Sequence, residues 1–184
     1  MSALPMRCSS SGGCENLMKL LVRKFLRPGE YYASPRTVMA ETLVGSCVTV
    51  CLFNTKAGFG AMNHFLRDRP KDESDPEIGT YGTTATRHIV RAMLRIDDDP
   101  HHYRASIFGG AAVLKKPNAD GKTGRANVAA ALEVLNAAGI RVVRSEVGGT
   151  RGRRVKFNTQ TGRIECRFAG DIPRKKPPIG ITRT

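Results

Sequence analysis

The run Val48-Thr49-Val50-Cys51-Leu52-Phe53 constrains this chain more than any other feature. It is uncharged, rich in β-branched side chains and too short for a stable helix, so it reads as a buried strand. From Thr42 up to it the apolar residues recur with period two. Asn54-Thr55-Lys56-Ala57-Gly58 ends the run as a turn. Phe59-Gly60-Ala61-Met62-Asn63-His64-Phe65-Leu66 then follows as the hairpin partner. Directly before the strand stand Gly45 and Ser46, two small residues ahead of Cys47.

The remaining elements follow from periodicity. Thr83 to Leu94 places Ile89, Val90, Met93 and Leu94 at helical spacing, and Asp97-Asp98-Asp99-Pro100 ends that segment. Ala105 to Leu114 is a second strand-like run, interrupted by Gly109-Gly110. Asn127 to Ala138 aligns Val128, Ala131, Leu132 and Leu135 as a helix that Gly139 stops. Ile140 to Arg144 is a strand. Arg154 to Asn158 pairs with Ile164 to Phe168 through Thr159-Gln160-Thr161-Gly162. Near the start, Glu15 to Leu26 sets Leu17, Leu20, Leu21 and Phe25 on one face of a short helix, closed by Arg27-Pro28-Gly29. Arg67 to Gly79 is polar and holds two prolines, so it reads as loop. Strands outnumber helices and short turns join many of them. The expected class is α+β, with mixed or mostly antiparallel sheets and helices packed on one side. The expected organisation is an N-terminal extension with an amphipathic helix over 1–30, a domain over 31–170 and a basic, proline-rich tail over 171–184.

Charge first suggests nucleic acid, because 30 lysines and arginines face 16 acidic residues for a net +14. The excess sits at the ends: residues 1–36 carry +4, residues 141–184 carry +9, and the long centre carries only +1. A near-neutral centre, no tryptophan and no recognised motif argue against a nucleic-acid-binding protein. No stretch approaches the roughly 18 apolar residues of a spanning helix, so membrane insertion is not expected. Five cysteines and a start without a secretory pattern fit a reducing cytoplasm, where free thiols are the rule. The histidines show no zinc-ligand spacing to the cysteines, so no metal is expected. Gly109-Gly110 is not followed by Gly-Lys-Ser/Thr and is no phosphate loop. Gly148-Gly149, with Arg151, Arg153 and Arg154 close behind, reads as a tight turn.

Cys47 is the candidate nucleophile. An ordinary thiol is mostly protonated at neutral pH, and the thiolate is the reactive form, so a base is needed. If the two strand-like segments form a hairpin, His64 returns close to Cys47, and the two make the minimal nucleophile–base pair for acyl transfer. Backbone N–H groups around Gly45–Cys47 are candidates for holding an oxyanion. A small core cysteine and a structural histidine are the plainer reading of the same residues.

The residues also resemble a family. Gly45-Ser46-Cys47-Val48-Thr49-Val50-Cys51-Leu52 followed by Gly60-Ala61-Met62-Asn63-His64-Phe65 is similar to the chemoreceptor glutamine deamidase family CheD. The likeness continues through Ile107-Phe108-Gly109-Gly110-Ala111, Gly124-Arg125-Ala126-Asn127, Val147-Gly148-Gly149 with Gly152-Arg153, and Val155-Lys156-Phe157. Phe25-Leu26-Arg27-Pro28-Gly29-Glu30-Tyr31 supplies its start. The resemblance implies a layered α/β/β sandwich and hydrolysis of particular receptor glutamines to glutamate through a thioester, with receptor methylesterase activity in some members. It implies Cys47 as nucleophile, His64 as base and an upstream threonine supporting the histidine. Thr42 is the nearest candidate, with Glu41 beside it. The substrate or oxyanion region is expected to include Gly45, Ser46, Asn63, Gly109 and Gly110. The implied partners are methyl-accepting receptors and a CheC-like phosphatase; the implied state is a cytoplasmic monomer without cofactor. An adaptor that acts mainly by binding CheC or receptors is the alternative. Ser106, Glu146, Ala126 and Thr123 depart from the family pattern, and none of them touches the Cys–His pair.

Overall fold

A computed structural model describes residues 21–72, 77–113 and 121–171. Nine strands and two α-helices occur among them: β1 (Arg23–Phe25), β2 (Tyr31–Ala33), β3 (Met39–Val44), β4 (Val48–Asn54), β5 (Phe59–Asn63), α1 (Gly82–Leu94), β6 (Tyr103–Gly109), α2 (Lys122–Ala137), β7 (Arg141–Val147), β8 (Arg153–Asn158) and β9 (Ile164–Phe168). They build two mixed sheets, one ordered β1-β3-β8-β9 and the other β2-β5-β4-β6-β7. Parallel pairing occurs between β1 and β3 and between β6 and β7, and the other ladders are antiparallel.

The five-stranded sheet is the middle layer, and β4 shows why. Val48, Val50 and Leu52 pack into a core with Ile89 and Met93 of α1 and Ala131 and Leu135 of α2. Cys51, on the other face, packs with Val44, Met62, Phe108, Val155 and Phe157 between the two sheets. A strand apolar on both faces needs cover on both sides; helices supply one cover and the four-stranded sheet the other. The result is the α/β/β sandwich that the sequence led us to expect. Phe108 and Phe157 are fully buried, and each stabilises the sheet–sheet layer by roughly 1.5–3 kcal/mol.

Most elements begin and end within a few residues of their expected bounds. The helix expected at Asn127 starts earlier, at Lys122, and Gly139 follows its end in the left-handed region, with φ of 68°. The strand expected through Leu114 stops at Gly109, the first of the two interrupting glycines. β7 and β8 belong to different sheets, so the Gly148-Gly149 turn carries the chain across the sandwich.

The N-terminal helix expected over Glu15–Leu26 is corrected where it can be seen. Arg23–Phe25 is a strand, paired in parallel with Met39–Glu41. Phe25, placed on the apolar helix face by the sequence, is 52% exposed, while Leu26 is fully buried. Edge pairing to β3 and burial of Leu26 outweigh the weak helical periodicity of a short segment. The earlier part of that helix, Cys8, Cys14 and the 172–184 tail lie outside the described residues. No helix among the described residues is long and apolar enough to cross a membrane.

Candidate active site

The hairpin register sets the two candidate residues at diagonal positions of one strand pair. β4 and β5 pair Cys51 with Met62, and the same register continues to an isolated bridge between Val48 and Phe65. Its two backbone hydrogen bonds are 3.1 and 3.0 Å long. Continued one residue outward, it sets Cys47 across from Leu66, with His64 across from Thr49. Cys47 and His64 are thus diagonal neighbours on one strand pair, a spacing from which side chains reach one another. Cys47 packs at the edge of the sheet–sheet core and is half-buried.

His64 is 2% exposed and reaches the facing sheet. Its Nδ1 lies 2.7 Å from Thr42 Oγ1 on β3, and the Thr42 hydroxyl donates to the Leu26 carbonyl at 2.8 Å. A hydroxyl has one proton, so with that proton on Leu26 the threonine accepts from Nδ1–H. The Leu26 carbonyl itself lies 3.3 Å from Nδ1 and has no proton to give, which favours the same tautomer. Nε2 is then the unprotonated nitrogen. It is buried and has no hydrogen-bond partner among the described residues.

Electrostatics favour the neutral form of both groups. Burial pushes the Cys47 thiol up, partly offset by its own backbone N–H. Burial lowers the His64 imidazole, opposed by the Leu26 carbonyl and the charge of Glu30. A thiol pushed up is a weak nucleophile without a base, and an imidazole pushed down stays available as one.

The loop before Cys47 is held by three consecutive carbonyls. Gly45 O accepts from Ala111 N at 2.8 Å and Cys47 O from Gly110 N at 2.9 Å. Between them, Ser46 O accepts from Asn127 Nδ2 at 3.0 Å. The N–H groups of Ser46 and Cys47 have no partner in another residue among the described ones. Gly109 must be glycine: with φ of 114°, a Cβ there would stand 2.2 Å from Cys47 O.

The other expected site residues divide clearly. Gly109 and Gly110 lie against the Gly45–Cys47 loop as its backbone support, and the Gly110 N–H is already engaged. Asn63 points away from His64: its Oδ1 accepts from Val50 N at 2.8 Å and its Nδ2 donates to Thr86 of α1 at 3.2 Å. The alternation of a strand, which sends neighbours to opposite faces, places Asn63 in the helix-side layer rather than on the face of His64. The same alternation separates Glu41 from Thr42. Glu41 faces outward from the four-stranded sheet and pairs with Arg23 at 2.6 Å, with Lys156 at 3.8 Å and Arg154 at 4.0 Å. Two further groups touch these residues, the Leu26 carbonyl and the Asn127 side chain, and the motifs that contain them gave neither a role. Among the described residues no three His, Cys, Asp or Glu side chains gather as metal ligands would.

Fold and site together define a layered α+β sandwich with a cysteine–histidine pair at the rim of its sheet–sheet layer. Residues 66–168, more than half of the chain, match the family model described as CheD chemotactic sensory transduction. The chain is 36% identical over 152 residues to a protein of Cereibacter sphaeroides, covering 81% of this chain and 74% of that one. It is 32% identical over 174 residues to a protein of Burkholderia thailandensis, covering 84% and 89%. It is 32% identical over 151 residues to one of Rhodospirillum rubrum, covering 82% and 85%. The first and third are named "Probable chemoreceptor glutamine deamidase CheD" and the second "Probable chemoreceptor glutamine deamidase CheD 2", which is the name of a hydrolase acting on an amide bond. The chain belongs to the CheD family.

Proposed function

We propose that this chain hydrolyses the side-chain amide of chemoreceptor glutamines to glutamate, with Cys47 as nucleophile, His64 as general base and Thr42 as the group that orients the imidazole. The observation that carries this reading is the Thr42–His64 contact, which favours the proton on Nδ1, with Nε2 left without a partner among the described residues. His64 Nε2 takes the Cys47 proton as the sulfur attacks the carboxamide carbon. The N–H groups of Ser46 and Cys47 receive the oxyanion. Protonated His64 then gives its proton to the departing nitrogen, ammonia leaves, and a thioester remains. Water, deprotonated by the same nitrogen, attacks the thioester; glutamate and the free thiol are released.

The same steps with methanol as leaving group give the methylesterase reaction on a receptor methyl ester, which we include in the proposal. A soluble cytoplasmic monomer and a CheC-like phosphatase partner belong to the same reading. Gel filtration of the protein, alone and with such a phosphatase, tests those two points.

The test of the reaction is mass spectrometry of a cytoplasmic receptor fragment incubated with the full-length protein. Wild type is expected to convert specific glutamines to glutamate, and Cys47→Ala to convert none. Full conversion by Cys47→Ala would overturn the reading; conversion that persists in His64→Ala would remove the base from it.

A further inference from the structure

We infer that Asn127 is a positioning residue for the reaction: its carboxamide clamps the two chain segments that carry Cys47 and His64 where their β-ladder ends. The inference rests on the Cys47–His64 reading and deepens it. Beyond the Val48–Phe65 bridge the antiparallel register would next join Ser46 to Arg67. It does not, because Arg67 N turns away to Thr80 O at 3.1 Å and Leu66 N joins it there at 2.9 Å. Ser46 O has lost its ladder donor at the residue before the nucleophile.

Asn127 fills that gap. One Nδ2 donates to Ser46 O at 3.0 Å and to Leu66 O at 2.8 Å. Ser46 precedes Cys47, and Leu66 lies across from Cys47 and two residues beyond His64. Two carbonyl oxygens facing one another repel; a shared NH2 between them turns that gap into a fixed spacing. The amide orientation is forced by the same two acceptors, since a flipped carboxamide would set a third oxygen against them.

The arrangement has a cost that packing alone does not explain. Asn127 is fully buried, and its Oδ1 has no partner among the described residues, a situation that destabilises a fold. The backbone brings α2 tightly against the site: a Cβ on Gly124 would stand 2.2 Å from Gly110 O. Gly110 in turn holds Cys47 O. The first two turns of α2 therefore hold the nucleophile loop, by Gly124 packed against Gly110 and by the Asn127 side chain at Ser46.

The test compares Asn127→Asp with wild type, in the native background and in His64→Ala. The first readout is the rate of Cys47 alkylation by iodoacetamide across pH; the second is kcat and KM for receptor deamidation. Asn127→Asp keeps the shape and replaces the shared donor by an oxygen. It is expected to lower kcat about 10²-fold, the scale of a misplacement of about 1 Å, with KM little changed. Alkylation should slow in the native background and not slow further in His64→Ala, because the clamp acts through the pair. Equal slowing in both backgrounds, or unchanged kcat, would overturn the clamp. Alkylation in which His64→Ala has no effect by itself would sink the Cys47–His64 reading instead, so the two failures are distinct. Should Asn127→Asp not fold, Asn127→Ser, which keeps one donor, carries the same comparison with a smaller expected loss.

Discussion

Two cysteines stand four residues apart against the same core layer, and their surroundings differ sharply. Cys47 sits at the rim, half-buried, across the strand pair from His64. Cys51 sits inside, 1% exposed, against Val44, Met62 and Phe157. Burial pushes both thiols up, but Cys51 far more, with Cys166 nearby adding to it. Cys166 itself, on β9, is pushed up to about 11 by burial and by the neighbouring Glu146. The contrast teaches how much the end of the ladder matters: there the paired strands give way to the Gly45–Cys47 loop, whose Ser46 and Cys47 N–H groups have no partner in another residue among the described ones.

The largest expected effect that sharpens this contrast is on catalysis. Cys47→Ala should reduce receptor deamidation at least about 10⁴-fold, measured by single-turnover mass spectrometry, with an unchanged melting temperature. His64→Ala should cost about 10²–10⁴-fold, the range of a general base. A Cys51→Ala variant that lost activity as deeply as Cys47→Ala would break the comparison outright.

Next comes the imidazole's support. Thr42→Val keeps the volume and removes the hydroxyl that joins Leu26 O to Nδ1. Loss of this buried bond should destabilise the fold by about 1–3 kcal/mol and lower kcat by less than His64→Ala does, read from urea melts and from turnover.

The pH dependence has a definite sign. His64 must be unprotonated to act, and its folded value is depressed by burial. The acid limb of kcat/KM should therefore fall below the ordinary imidazole value of about 6.5. The same depression means the unfolded chain binds a proton that the folded chain resists. The stability it contributes is present above about 6.5 and is lost as pH falls toward the folded value. Chemical denaturation across that window, compared with His64→Gln, measures it.

The smallest effect belongs to the interior thiol. Cys51→Ala should leave kcat unchanged and cost about 1 kcal/mol by the small cavity it opens between the sheets. Thiol reagents on the native protein should label Cys47 well before Cys51, as peptide mapping would show.

The fold was legible where one element carries one period. The apolar run of β4, the helical spacing of Ile89 and Met93, and the β8–β9 hairpin each follow from neighbours in sequence, and each formed close to its expected bounds. The diagonal placement of Cys47 and His64 was legible too, because a hairpin register is local. Asn63 shows the limit of that reasoning: adjacent to His64 in sequence, it belongs to the opposite face. The edge strand at Arg23–Phe25 shows another, since pairing with β3 overrode a faint helical stripe.

By itself, then, the sequence determined the strand pair, its register and the two groups it sets diagonally, all consequences of local periodicity and turn chemistry. Only the tertiary structure decided what those groups meet. Thr42 reaches His64 because two sheets stack, and Asn127 reaches Ser46 across 81 positions because a helix packs on a sheet end. Contacts between layers depend on how separate elements are laid against one another, and no short-range pattern along the chain encodes that.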